Sequence, residues 1–143
     1  MTTFYGTDTY SIDAKGRLAI PATARRAAGK NTTFFLVPGF EGCLALYTET
    51  QWARVEERLA QLPGKRQERA FKRALLMNAA RVTVDAQGRI TIQSALIHRA
   101  GLGKEAVLLG QGSHLEIWNP EKLGTVLAEA DSNFEALAEE VLR

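Results

Sequence analysis

Two arginines stand in the same local sequence, and their side chains are the ones with chemistry to offer. Residues 12–20 read IDAKGRLAI and residues 84–92 read VDAQGRITI, so Asp13, Gly16 and Arg17 recur as Asp85, Gly88 and Arg89 at a constant offset of 72. Within each D-x-x-G-R run the roles separate by residue type. A tight turn between two strands needs glycine where φ is positive, which accounts for Gly16 and Gly88. An aspartate at such a turn accepts backbone hydrogen bonds and fixes it, which accounts for Asp13 and Asp85. The arginine is not needed by the turn. A guanidinium beside a rigid turn presents five donors in a planar fork, and that fork fits guanine O6/N7 in a major groove or a phosphate. A solvated charge or an internal Asp–Arg ion pair is the alternative use of the same side chains.

The copies are unequal. The first adds Lys15 and the pair Arg25-Arg26, while the second has Gln87, Ile97-His98 and Arg99. On charge alone the first copy is the better phosphate holder, and the second contributes base-edge or structural contacts.

The duplication reaches well beyond the turns. PATARRAAG (21–29) parallels QSALIHRAG (93–101), and FFLVPGFEGCLALY (34–47) parallels AVLLGQGSHLEIW (106–118) with one residue gained or lost. Each copy reads strand, turn, strand, short helix, strand, turn, strand. Leu18-Ala-Ile20 and Ile90-Thr-Ile92 alternate as half-buried strands do. Pro21 suits a helix's first turn, Ser94 is an N-cap candidate, and Gly29 and Gly101 mark left-handed helix ends. Pro38-Gly39 and Gly110-Gln-Gly112 mark the later turns. Between the copies TETQWARVEERLAQL (48–62) opens on a Thr48–Gln51 capping-box pattern, with Trp52, Val55, Leu59 and Leu62 at helical spacing until Pro63-Gly64. A basic helix over 65–80 follows, with Phe71, Leu75 and Leu76 on its apolar side. Asn119-Pro120 opens an acidic, amphipathic C-terminal helical region with a weak point near 131–133. The organisation expected is repeat one at 7–50, a helical connection at 51–80, repeat two at 81–124 and an acidic helical tail at 125–143.

The remaining chemistry is sparse. The lone Cys43 excludes an intramolecular disulfide framework and sits in an apolar run, as a buried small hydrophobe would. His98 and His114 have no Cys/His spacing around them, so no metal site is expected. No Ser/His/Asp or Cys/His constellation suggests catalysis, and Gly110-Gln-Gly112 lacks the helix and third glycine of a nucleotide-binding fingerprint. No cofactor or small-molecule substrate is implied. No apolar run approaches the roughly 20 residues of a membrane span, and MTTFYGTDTY lacks the features of a signal peptide, so a cytoplasmic protein is expected. Residues 1–81 hold thirteen Lys/Arg against seven Asp/Glu, a net +6, and residues 82–143 hold five against nine, a net −4. Such polarity steers a polyanion to one side, or joins one chain's tail to its neighbour.

DAKGRLAIPATAR and DAQGRITIQSALIHRAGLGKEAVLLGQGSHLEIW resemble the two SpoVT-AbrB type repeats of the MraZ family. Phe4 to Gly6 (F-x-G), Trp52, Glu56 and Leu59 (W-x-x-x-E-x-x-L) and Glu116-Ile117-Trp118 carry the resemblance from about Phe4 to Leu123. Gln93, where a proline is common, is a departure, and the acidic tail matches least. The resemblance implies an α+β fold, a swapped-hairpin (AbrB-like) β-barrel with both halves in one chain and helices between and after them. It implies a ring-shaped homo-oligomer, an octamer or dodecamer, and regulation of the division and cell-wall gene cluster through promoter repeats in double-stranded DNA. DNA contacts then map to Asp13, Lys15, Gly16 and Arg17, and by analogy to Asp85, Gly88 and Arg89.

The mechanism expected is a weak contact multiplied. One Arg–guanine pair gives about 1–3 kcal/mol of discrimination, and Lys15 and Arg25 add salt-dependent phosphate binding. A ring engaging several short direct repeats gains about 10²–10⁴ in avidity. Covering a promoter, its own included, excludes polymerase, so repression by a nucleoid-associated protein is the expected outcome. An AbrB-class antitoxin or protein-binding module is the alternative. It usually has one barrel half and a toxin-wrapping tail, whereas here a second complete half precedes the tail.

Overall fold

Each D-x-x-G-R turn joins two short strands, and those strands find their partners in the other repeat. In this computed structural model residues 4–27 and 32–143 are described. Among them the first repeat contributes β1 (Thr7–Ser11), β2 (Arg17–Ala19), α1 (Ala22–Ala27), β3 (Thr33–Pro38) and β4 (Leu44–Thr48). Helices α2 (Glu49–Ala60) and α3 (Arg66–Met77) follow. The second repeat contributes β5 (Ala80–Thr83), β6 (Arg89–Thr91), α4 (Ser94–Ala100), β7 (Glu105–Gly110) and β8 (Leu115–Trp118), followed by α5 (Pro120–Ser132) and α6 (Phe134–Leu142). The element order read from the sequence is therefore present in both copies, in a mixed α+β fold built on antiparallel strands.

Six strands form one antiparallel sheet in the order β1-β7-β8-β4-β3-β5, and β2 pairs with β6 in a separate ladder. The order is unchanged when the repeats are exchanged, and the registers obey the same symmetry. Asp8 faces Leu108 as Ala80 faces Leu36, and Tyr10 faces Ala106 as Val82 faces Phe34. The β2–β6 ladder is centred on Leu18 opposite Ile90, flanked by Arg17–Thr91 and Ala19–Arg89. Where β4 meets β8, Ala45 opposite Glu116 is the centre. Among the described residues the β3–β4 and β7–β8 ladders are internal to a repeat, as is the isolated Ile12–Leu18 bridge.

Alternation along the strands sends one face inward. Leu18, Ile20, Leu36, Leu44 and Leu46 of the first repeat meet Ile90, Ile92, Leu108, Leu115 and Ile117 of the second in one buried core. The other sheet face is covered separately on each side. Trp52 of α2 packs on Val37 and Ala45 and stacks on Phe35 at 5.4 Å, and Leu123 of α5 packs with Cys43 and Trp118. Leu59 is buried as its spacing predicts, Leu62 is exposed, and Cys43 is a buried thiol pushed up to about 12, first by burial and then by Glu116. Phe4 is buried and bonds with Gly112 through both backbone groups, each at 2.8 Å.

Helix ends match the sequence expectations in type, with shifts of position. Thr48 caps α2 by accepting from the Gln51 amide at 3.2 Å, and Asn119 caps α5 by accepting from Glu121 and Lys122. Gly101 closes α4 at φ 64°, whereas Gly29 lies outside the described residues. Ser94 is the first helical residue and Gln93 the N-cap, without a side-chain bond. Pro21 likewise precedes α1, its carbonyl accepting from the Arg25 amide at 3.0 Å. In the second repeat the chain leaves the β6 ladder extended through Gln93 (φ −65°, ψ 149°), which holds Ser94 to the first helical position. The basic helix ends at Met77 because the strand β5 claims Ala80. α5 ends at Ser132 beside the weak point that the sequence marks.

Leu18 is fully buried at the centre of the cross-repeat ladder. Leu18→Ala should therefore lower unfolding free energy by about 2–5 kcal/mol, measured by chemical denaturation. An unchanged midpoint would show that the ladder is not part of the cooperative core.

Candidate nucleic-acid interface

The two turns have the same internal wiring. In the first, Asp13 Oδ1 accepts from the Lys15 and Arg17 amides, both at 2.9 Å, and Asp13 Oδ2 accepts from Arg17 Nε at 2.6 Å. In the second, Asp85 Oδ1 accepts from the Gln87 and Arg89 amides at 2.8 and 3.0 Å, and Oδ2 from Arg89 Nε at 3.2 Å. The Gly16 and Gly88 amides close the turns on the Asp13 and Asp85 carbonyls, both at 3.0 Å, with φ of 77° and 78°. These bonds, the backbone N–H of Arg17 or Arg89 foremost, hold each carboxyl below the usual carboxylate value. Both aspartates are thus ionised and fully engaged in the turn, and each anchors its arginine by the Nε edge.

The cross-repeat ladder brings the turns together. Arg17, Ala19, Arg89 and Thr91 lie on the outward face of β2 and β6, because Leu18 and Ile90 between them are buried. Arg89 Nη1 lies 3.8 Å from Asp13 Oδ2, so the Asp13 carboxylate stands between both guanidinium groups. Arg17 and Arg89 keep 34% and 27% of their side-chain surface exposed. Among the described residues the Nη atoms of Arg17 make no hydrogen bond.

Each turn lies beneath the helix of the other repeat. The Ile20 amide donates to the Gly88 carbonyl at 2.9 Å, and the Ile92 amide to the Gly16 carbonyl at 2.8 Å. Arg25 of α1 is anchored by Nε to the Ile20 carbonyl at 3.1 Å, and its guanidinium covers Gly88, where a Cβ would meet Cζ at 2.9 Å. Its repeat equivalent, Ile97 of α4, covers Gly16, where a Cβ would meet Cδ1 at 3.1 Å. The grouping by chain position does not survive folding: Lys15 and Arg17 share a turn with Ile97, and Arg25 joins Gln87, Gly88 and Arg89. Ile97 is invisible as a turn-packing residue from sequence alone, although the 72-residue offset already pairs it with Arg25.

Lys15 and Gln87 are exposed at the turn tips. His98 is exposed on α4, and His114 stacks on Tyr47 at 4.6 Å, where burial lowers its pKa. No group of three or more His, Cys, Asp or Glu able to hold a metal ion occurs among the described residues. The outward face thus gathers the Arg17 and Arg89 guanidinium groups, the Lys15 ammonium and the two turn carboxylates on a two-stranded ladder.

Two tandem repeats that exchange strands, with a D-x-x-G-R turn in each, define the class. The family model described as "MraZ protein, putative antitoxin-like" matches residues 3–74 and again 75–143. The chain is 38% identical to the transcriptional regulator MraZ of Natranaerobius thermophilus over 140 residues, covering 97% of this chain and 96% of that protein. It is 39% identical to that of Pediococcus pentosaceus with the same coverage, and 40% identical to that of Limosilactobacillus reuteri over 95% of each chain. The chain belongs to the MraZ family.

The two glycines respond differently to a methyl group. At Gly16 a Cβ would lie 2.6 Å from the carbonyl oxygen of Ile92, a backbone atom just past β6, whereas at Gly88 it meets the guanidinium end of the Arg25 side chain, which can shift at the cost of its bond to the Ile20 carbonyl. Both substitutions carry the left-handed penalty of about 1–2 kcal/mol. Gly16→Ala should destabilise the protein clearly more than Gly88→Ala in denaturant unfolding. Equal losses would contradict the packing described.

Proposed function

We propose that this protein is a sequence-specific DNA-binding transcriptional regulator, a repressor of the division and cell-wall gene cluster including its own promoter. The observation that carries the reading is the pairing of β2 with β6, which sets Arg17 and Arg89 about one carboxylate on a single outward face. Both Nε edges are anchored, and Arg89 also directs Nη1 to the Asp13 carboxylate, so the Nη pair of Arg17 is the pre-oriented one, the geometry that binds guanine O6/N7 bidentately. Lys15 and Arg25 flank them as phosphate contacts. Asp13, Gly16, Asp85 and Gly88 belong to the same surface by holding its shape, so the DNA-binding set is Asp13, Lys15, Gly16, Arg17, Arg25, Asp85, Gly88 and Arg89. The exchanged pairing and palindromic strand order support a swapped-hairpin barrel, with β2–β6 closing one end. The units are repeat one at 7–50, connection at 51–80, repeat two at 81–124 and tail at 125–143. No described helix is long and apolar enough to cross a membrane. A cytoplasmic, nucleoid-associated location follows from the role.

Arg17→Ala tests this reading. On a DNA fragment from upstream of the protein's own gene, at fixed salt, the variant should lose about 1–3 kcal/mol of preference over unrelated DNA and keep wild-type thermal unfolding. Wild-type affinity and preference would overturn the assignment.

Binding of short direct repeats by a ring of copies is part of the same proposal, and the helices support it. α3 and α6 each follow a repeat, yet α3 carries Arg66, Arg69, Lys72 and Arg73, whereas α6 carries Glu135, Glu139 and Glu140 and no base. Both expose apolar side chains, Phe71, Leu76 and Met77 on one and Phe134, Val141 and Leu142 on the other. Opposite charge around unpartnered apolar groups on different faces gives a head-to-tail contact, which closes into a ring when the rotation permits. An AbrB-class antitoxin or protein-binding module is the second reading, favoured by the same exposed side of α6. Its mark would be a stoichiometric small partner bound there. Leu76→Glu with Met77→Glu should shift sedimentation to smaller species with unchanged far-UV circular dichroism. Unchanged sedimentation would remove α3 from the interface.

A further inference from the structure

Strand β1 stands at one end of the six-stranded sheet and turns an acid inward. Alternation sets Asp8 on the face of Tyr10 and Ile12, both of which meet the core, and opposite the buried Leu108. Among the described residues no ion pair involves its carboxylate. Asp8 borders a cavity of about 260 Å³ between the N-terminal segment, α1 and the β7–β8 hairpin. Phe4, Pro21, Ala24, Leu108 and Leu115, all buried, give it an apolar lining. Tyr5, 82% exposed, and Thr23 complete the rim.

The other repeat supplies an internal comparison. At the offset of 72, Asp8, Thr23 and Ala24 become Ala80, Ala95 and Leu96. Leu96 is fully buried, so a leucine side chain takes up there the volume that Ala24 leaves free here. The carboxylate and the hydroxyl are absent from that place as well. Shape and charge therefore differ between the halves at the same point.

An aromatic ring beside a carboxylate attracts an ammonium, through the ring face and through the charge. The volume falls below the roughly 300–1,000 Å³ of sites for drug-sized molecules, so the occupant is small. We propose that this cavity binds a small organic cation, a primary amine on a short apolar body, and that its occupancy tunes DNA binding through α1. The apolar body rests on Ala24, Leu108 and Leu115, and the ammonium meets Asp8 and Tyr5. Ala24 precedes Arg25 in α1, and the Pro21 carbonyl accepts from the Arg25 amide. A ligand held against Pro21 and Ala24 steadies the turn that sets Arg25 over Gly88. The coupling to DNA rests on the DNA-binding reading above, whereas the site itself does not.

Methyl NMR of the full chain tests the site, with 2-phenylethylamine as probe and 2-phenylethanol as its neutral counterpart. The amine should shift the Ala24, Leu108 and Leu115 methyl signals saturably. It should bind about two- to five-fold more tightly than the alcohol, the contribution of a partly exposed ion pair. Asp8→Asn should bring the amine down to the alcohol's affinity. Ala24→Leu, which takes the residue of the other repeat, should abolish binding of both, with thermal unfolding as the check on its fold. Saturating amine should raise wild-type affinity for DNA from upstream of the protein's own gene several-fold, and leave that of Ala24→Leu unchanged. No saturable shift in the wild type, or equal binding by Ala24→Leu, would overturn the site. An amine preference that survives in Asp8→Asn would leave the carboxylate as a guard of the sheet edge and overturn the cation assignment. Amine binding without a change in DNA affinity would overturn the coupling. Absence of sequence-dependent DNA binding by the ligand-free protein would overturn the regulator reading, and the coupling with it, while the NMR result stands by itself.

Discussion

Strand exchange between the repeats is the constraint on which everything else depends. Alone, a repeat would retain one hairpin, β3–β4 or β7–β8, and would leave β1, β2, β5 and β6 without partners. Unpaired backbone donors and acceptors destabilise a buried element by as much as a missing hydrogen bond each, and a single two-stranded hairpin is marginal in water. The exchange satisfies those groups and joins both apolar faces into one core. It also makes the turns neighbours. Arg17 and Arg89 are 72 residues apart in the chain, and only the β2–β6 ladder sets them about the Asp13 carboxylate.

The Asp–Gly–Arg device converts that placement into stiffness. One carboxylate accepts two backbone N–H groups and one guanidinium Nε, so turn shape and arginine direction are fixed by the same group. The bonds favour its ionised form, which keeps the anchor charged down to acid pH. An arginine held by one edge has fewer rotamers to lose when its other edge engages a ligand, and pre-organisation of this kind strengthens binding without adding new interactions. The aspartates serve the surface through its geometry, since both of their oxygens are already taken up.

Much of this is legible in the sequence because it is local. The D-x-x-G-R turns, the Thr48 and Asn119 caps, the left-handed Gly101 and the break after Ser132 all follow from residues within a few positions of one another. The 72-residue offset exposes the duplication, and with it the element order. Strand partnership is not legible from the residues themselves. A three-residue strand such as Leu18 with its neighbours shows which face is buried and says nothing of which strand lies alongside. Arg25 is misplaced by chain position for the same reason: its charge is readable, but the turn it covers belongs to a strand paired through the exchange. The outward side of α3 reads as an ordinary apolar stripe, and only packing shows that Leu75 is covered while Phe71 and Met77 are not.

Fusion of two repeats in one chain also frees them to differ, and the differences fall where packing permits. Ladder registers are identical in both halves, because a shift by one residue would turn every inward side chain outward. Inside the core, divergence is compensated: Ala24 and Phe34 of the first repeat stand where Leu96 and Ala106 stand in the second, so bulk moves between helix and strand while all four remain buried. At the rim no such compensation is required. Lys15 becomes Gln87, Arg25 becomes Ile97, and the basic α3 becomes the acidic α6. A dimer of identical chains cannot hold these asymmetries, since any change in one half appears in the other. A tandem chain can, and the same freedom lets its two turns and its outer helices differ in charge.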